Sequence, residues 1–215
     1  MGEPRTKKSL IESAIRIFQQ KGFQMTRVSD IVSDAGVAQG TFYNYFRSKE
    51  EIFREICNDF IDQVQKKFIE RTEHLFDGDT SDEVVKNVHQ VVRDLFLIYN
   101  NNLAVAELLF REGIGNGGIF KEIYEGMLSL FLELIEEQVE KAIKRGFIHI
   151  EDAQIGSVFL FGLFERGLLY FMLIQKNTDL EKLERVMVDF VLKGLSFDYH
   201  FDVSEKSNFG AADVI

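Results

Sequence analysis

The chain has 215 residues, 46% of them hydrophobic, a single cysteine and a net charge of −10. That length allows one large domain or two small ones with ample chain for a core, and a lone cysteine excludes an internal disulfide. The first residues lack the basic, then apolar, then small-residue order of a secretory signal, which together with the unpaired thiol points to a cytoplasmic protein.

Pro4 is the only proline. Helical periodicity continues beyond it throughout, so an all-α fold of about nine helices is expected. The first helix is predicted over residues 6–21, where Leu10, Ile11, Ala14, Ile15, Ile17 and Phe18 make one apolar face. Gly22 suits the left-handed position after its last turn, and Phe23 can fold back on the helix end. Thr26 is placed as N-cap of a second helix with the stripe Val28, Ile31, Val32 and Ala35, stopped by Gly36. Val37 anchors the turn. A third helix is predicted over 38–45, with Phe42 and Phe46 facing inward. Ser48 and Glu51 form a capping box for a fourth helix, which carries Ile52, Phe53, Ile56, Phe60 and Val64 to about residue 76. Residues 77–82 read as a loop. Helices follow over 83–99 and 103–112, separated by three asparagines. The GIGNGG segment at 113–118 is a candidate hinge. Further helices are predicted over 119–145, 152–175 and 179–195, and 201–215 as a flexible tail.

The net charge is unevenly distributed. Residues 1–49 carry eight Lys/Arg against four Asp/Glu, a surplus of four positive charges, whereas the remainder carries 17 against 31. Phosphate would attract the first segment and repel the second. Within the basic segment, QMTRVSDIVSDAGVAQGTFYNYFRSK (24–49) gives two short helices around a glycine turn. A helix-turn-helix needs that geometry, one helix crossing the phosphates and the next lying in the major groove. The stretch GFQMTRVSDIVSDAGVAQGTFYNYFRSKEEIF (22–53) resembles the TetR family of bacterial transcriptional regulators. The resemblance in detail covers about the first 55 residues; the remainder is similar in architecture, a long acidic helical body. It implies an N-terminal three-helix helix-turn-helix DNA-binding domain (1–49) and a C-terminal helical ligand-binding and dimerisation domain (50–200). The implied partners are a palindromic double-stranded DNA operator, a second copy of the chain and a small-molecule effector, which the phenylalanine-rich body suggests is hydrophobic; no cofactor, metal or membrane is expected.

Gln39 and Thr41 are the best candidates for base edges: Gln can pair bidentately with adenine, and the Thr methyl can touch a thymine methyl. Gly40 permits close backbone approach, and Asn44 is a further candidate. The resemblance implies phosphate contacts from Tyr43 and Tyr45. Thr26 and Lys49, at two helix starts, are expected to hold phosphate as well, with Arg27 a weaker candidate; Arg5, Lys7 and Lys8 are candidates for phosphate or the adjacent minor groove. Many family members carry serine where Ala38 stands, which would cap the third helix.

The acidic body holds most of the 21 phenylalanines, and the chain has no tryptophan. Phe68, Phe96, Phe110, Phe131 and Phe159, with Tyr124, Met127 and His89, are candidates to line one apolar cavity; tight core packing is the alternative for each. Residues 155–174 have the length of a membrane span, but Glu165 and Arg166 sit at their centre. Burial between two subunits is preferred, with Gly162, Glu165, Arg166, Phe190 and Val191 at the interface. Cys57 lies on an apolar stripe and reads as a small core residue. The histidines are scattered, no metal-ligand spacing occurs, and the glutamates at 133, 136, 137 and 140 read as a solvated helix face; no enzyme is indicated. The competing function is a DNA-anchored interaction protein whose acidic body binds a protein partner instead of a small ligand.

Overall fold

A computed structural model describes residues 3–76, 81–115, 117–176 and 179–195. Among these the ordered elements are helices: α1 (Glu3–Lys21), α2 (Val28–Ala35), α3 (Gln39–Tyr43), α4 (Lys49–Thr72), α5 (Ser81–Asn101), α6 (Leu103–Gly115), α7 (Ile119–Lys144), α8 (Ala153–Leu168) and α9 (Leu180–Leu195). A π-helical turn, Leu169–Ile174, continues α8. The all-α expectation with about nine helices holds for the described residues; the tail at 201–215 lies outside them.

The helix ends differ from expectation where local hydrogen bonding decides. α1 begins three residues early and takes Pro4 into its first turn, where a missing N–H leaves no intrahelical bond unmade. α2 begins at Val28 with Arg27, not Thr26, at the N-cap. The Thr26 hydroxyl instead donates to the Gly22 carbonyl at 2.7 Å, left open where α1 ends. Asp30 supplies the cap in return, accepting from the Arg27 amide at 2.9 Å. α3 stops at Tyr43, because residues 44–45 curl into a turn that brings Phe46 back beneath Phe42. α4 stops at Thr72, whose hydroxyl donates to the Phe68 carbonyl. α6 runs through Gly115, so part of the candidate hinge is helical and the connection to α7 is shorter than expected.

The head is one small core. Leu10, Ala14 and Phe18 of α1 meet Ile31 and Val32 of α2, Phe42 and Phe46, and Ile52 and Phe53 of α4, all buried. Gly36 makes the turn between α2 and α3 with φ +67°, and the Val37 amide returns to the Val32 carbonyl at 3.0 Å. Lys21–Asp30 at 2.8 Å and Arg16–Asp34 at 2.7 Å tie α1 to α2 on the surface. In the body, α7 packs on α4, α6 and α8, and α5 packs on α4 and α9. Its outer face carries Lys121–Glu125, Glu137–Lys141 and Glu140–Lys144 pairs one turn apart, as expected of a solvated helix.

Head and body are joined by packing as well as by the continuity of α4. Phe120, in the first turn of α7, places its ring 4.7 Å from Phe23 and 4.9 Å from Phe53, edge to face in both cases. Glu122, two residues on, takes the Arg54 guanidinium in a two-pronged bond with both contacts at 3.1 Å.

Candidate DNA-binding and effector sites

α3 buries Phe42 and exposes Gln39, Gly40, Tyr43 and Asn44, which share one side of the helix and the turn after it. Nothing crowds Gly40, so a surface can approach its backbone closely. Thr41 and Tyr45 are half-buried at the margins of this face. Arg27, at the start of α2, is exposed and makes no ion pair with a described residue. The geometry thus offers two potential base-edge readers, Gln39 and Asn44, beside hydroxyl and guanidinium groups suited to phosphate.

Two residues expected beside phosphate are placed differently. Thr26 is 2% exposed and its hydroxyl is already spent on Gly22. The Lys49 ammonium is 2.9, 3.1 and 2.9 Å from the carbonyl oxygens of Phe23, Gln24 and Thr26, over the face of the Phe23 ring. All three of its protons are taken up closing the turn between α1 and α2. Lys7 likewise pairs with Glu55 of α4 at 2.7 Å. Much of the head's positive charge is therefore structural.

The body contains a cavity of about 430 Å³ between α4, α5, α7, α8 and α9. Of the eight residues expected around a pocket, Phe68 of α4 and Phe131 of α7 line it. Phe96, Phe110, Tyr124 and Met127 are instead part of the packing around Tyr99 and Phe164 or of the neighbouring core. His89 pairs through Nδ1 with Glu184 of α9, which is 2% exposed and also holds Arg93 at 3.2 Å. That triad locks α5 to α9, satisfying a buried carboxylate from two sides. Phe159 lies outside, 73% exposed. Sequence reasoning missed the main wall, the valine stripe of α5 (Val84, Val88, Val91, Val92), although its spacing was visible. It also missed Gln138, the one amide among the lining residues.

The residues expected at a subunit interface divide as well. Phe190 is 68% exposed and Val191 half-buried; they border an apolar groove shared by Ile155 and Phe159 of α8. Gly162 is uncrowded within the protomer. Arg166 is exposed. Glu165, by contrast, is turned into the protomer and accepts a 2.8 Å bond from the Tyr124 hydroxyl. Burial pushes its carboxyl above the usual range, opposed by that bond and by Arg166. The segment Ala153–Ile174 is long and apolar enough by length and composition to cross a membrane, but this internal carboxylate and the packing of α8 on α7 argue for a protein interior. Cys57 is buried, which pushes its thiol up to about 12 and leaves it unreactive.

Comparison with known proteins agrees with this arrangement. Residues 10–56 match the family model for bacterial regulatory proteins of the tetR family. The uncharacterized HTH-type transcriptional regulator YhgD of Bacillus subtilis (strain 168) is 27% identical over 193 residues, covering 88% of this chain and 96% of that protein. The fatty acid metabolism regulator protein of the same organism is 24% identical, covering 86% of this chain and 93% of its own length. The crystal structure of the transcriptional regulator FadR from Bacillus subtilis in complex with stearoyl-CoA shares the fold, with a TM-score of 0.69 at 20% identity, covering 87% of this chain and 98% of that one. A short helix on a glycine turn matches the tetR-family model over residues 10–56, and along most of its length the chain is similar to HTH-type transcriptional regulators.

Proposed function

We propose that the chain is a cytoplasmic, ligand-responsive repressor that binds a palindromic operator as a homodimer and is released by a small hydrophobic effector. Residues 1–49 read the DNA, and 50–200 bind the effector and dimerise. The observation that carries the reading is the shared wall of the cavity. α4 supplies Ile52 and Phe53 to the head core and Val64, Phe68 and Thr72 to the cavity. From Phe53 to Val64 is about 16 Å along one rigid helix. α7 does the same from the other side, with Phe120 packed on the head and Phe131, Ile135, Gln138 and Val139 on the cavity.

A molecule that fills the cavity pushes on both helices, and both end at the head. Two reading helices must stand one DNA turn apart, about 34–36 Å, to enter successive major grooves. A ligand that favours another spacing lowers operator affinity by its differential binding to the two states, so tenfold release requires about 1.4 kcal/mol of coupling. The apolar groove bearing Phe159 and Phe190 suits a second copy of the chain better than solvent. An effector-sized apolar cavity supports a small ligand over a protein partner, and the relatives named as fatty acid regulators support an apolar ligand class.

Selection of bound duplexes from a random-sequence pool tests the proposal. The expected result is a two-fold symmetric consensus with half-sites one turn apart. Gln39→Ala should change the preferred base at one position per half-site by roughly 1–3 kcal/mol, while weakening other sequences little. Recovery of unrelated duplexes, or binding by monomers, would count against it.

A further inference from the structure

We infer that Arg27 and Arg47 form one phosphate clamp beside α3, and that Lys49 holds the two arginines in place without touching DNA itself. This rests on the reading of the head as the DNA-binding unit.

The cations of the head carry it. Residues 1–49 hold eight lysines and arginines. Lys7, Arg16 and Lys21 are committed to Glu55, Asp34 and Asp30, and Lys8 faces Glu12 at 3.9 Å. The Lys49 ammonium is taken up by the carbonyls of Phe23, Gln24 and Thr26. Among the described residues this leaves Arg5, Arg27 and Arg47, all exposed and in no ion pair. Lys49 also sets where two of them stand. Its 2.9 Å bond to the Thr26 carbonyl lays the start of α4 against the start of α2. Arg27 follows Thr26 directly and Arg47 lies two residues before Lys49, so one bond brings both segments to the same edge of the head. Arg47 also comes just after the turn that closes α3, next to the face bearing Gln39 and Tyr43. Arg5 is at the other end of α1, about 24 Å along that helix from Lys21.

The two arginines are seated alike. The Arg27 amide donates to the Asp30 carboxylate at 2.9 Å, and the Arg47 amide donates to the Glu51 carboxylate. In each case an acid in the first turn of a helix fixes the backbone of the arginine before it, and the guanidinium is left for an outside anion. Asp30 is further engaged by Lys21. Two like charges on adjoining segments repel each other in the free protein, and a phosphate between them reverses the sign of that interaction. A guanidinium fork matches phosphate oxygens in two bonds at once, whereas the Lys49 ammonium has no proton to spare. The body, with 31 acidic residues against 17 basic, adds no net attraction.

The test is the salt dependence of binding to the selected operator duplex and to poly(dI-dC), for wild type, Arg27→Gln, Arg47→Gln, Lys49→Met and Lys66→Gln. Each phosphate neutralised contributes about 0.9 to the slope of log affinity against log salt, so each arginine variant should lose about 0.9 per bound chain, or 1.8 for the proposed dimer. Its deficit against wild type should then shrink about twelvefold between roughly 50 and 200 mM salt. Both arginine variants should keep the base preference and melting temperature of wild type, and lose slope on both duplexes alike. Lys66→Gln removes an exposed charge about 25 Å along α4 from Lys49 and should keep the wild-type slope, being beyond the screening length. Lys49→Met should show both a lower melting temperature and a flatter slope. A wild-type slope in either arginine variant would overturn the clamp, as would an equal loss in Lys66→Gln, which would reduce the effect to net charge. A flatter slope for Lys49→Met at an unchanged melting temperature would give the phosphate contact to the lysine, and an unchanged slope would remove it as the residue that aligns the arginines; either overturns the assignment while leaving DNA binding standing. Failure of wild type to bind either duplex at any salt would remove the underlying reading of the head, and this inference with it.

Discussion

Replacing Phe120 with alanine should both weaken the protein and disconnect its two halves. The ring is 4% exposed and sits edge to face against Phe23 and Phe53, which themselves approach to 5.2 Å and close on Phe18. Truncating a buried phenylalanine costs about 3–5 kcal/mol, of which the two edge-to-face pairs account for roughly 1–3. For a chain of this length that is a fall of about 6–20 °C in melting temperature. Urea unfolding should show it as a lower midpoint with an unchanged slope, provided protomer concentration is held fixed. Phe120→Leu should lose less, because it keeps part of the contact. The second consequence concerns function. Arg54–Glu122 would remain as the polar tie between the start of α7 and α4, and a half-exposed ion pair contributes at most about 1 kcal/mol. An apolar compound that lowers operator affinity of the wild type should therefore lower that of Phe120→Ala much less, although the compound still binds. A stability loss below about 1 kcal/mol, or a ligand response equal to wild type, would refute the reasoning that Phe120 both packs and transmits.

Lys49→Ala should destabilise the ligand-free and DNA-free protein by about 1.5–3 kcal/mol, because three carbonyls at the α1–α2 turn lose a charged donor; unchanged stability with a loss confined to DNA affinity would show that the lysine serves phosphate alone. On the proposed dimer, Phe190→Glu should give a monomer in sedimentation where wild type gives a dimer, and abolish operator binding with the helical content retained; a dimeric variant would place the subunit contact elsewhere. The Glu165 carboxyl is raised by burial, so its contribution to stability is present below the unfolded value near pH 4.3 and is lost as pH rises through the folded value. Glu165→Gln keeps an acceptor for Tyr124 without that loss, and its stability advantage over wild type should grow from pH 4 to pH 8; a pH-independent difference would contradict the assignment.

What could be read from the sequence was what repeats or punctuates locally. Phe42 and Phe46 four residues apart, the glycines at 22 and 36, and the Ser48 cap bonded to the Glu51 amide all behave as their spacing implies. The face of α3 was legible for the same reason, since burying Phe42 fixes where Gln39 and Tyr43 must point. Contacts between distant segments were not legible. Lys49 at a helix start looks like a free cation until the fold brings three carbonyls from 23–26 residues earlier onto its ammonium. Thr26 looks like a cap until Gly22 offers a closer carbonyl. The aromatic residues of the body all fit an apolar wall by composition, and only the packing angle of the helices decides that Phe131 faces the cavity, Phe110 the neighbouring core and Phe159 the outside. Glu165 was assigned to a subunit contact because a charge in an apolar helix needs a partner, and Tyr124 supplies one within the protomer.

The claim that the cavity governs the reading head is tested most directly by filling it from within. Val88 of α5 lines the cavity. Operator affinity of Val88→Trp, measured on the intact dimer with and without an apolar compound, should be about tenfold below wild type and insensitive to the compound, because the indole occupies the site and holds the released state. A folded, dimeric Val88→Trp that binds operator as tightly as wild type and is still released by the compound would contradict the account.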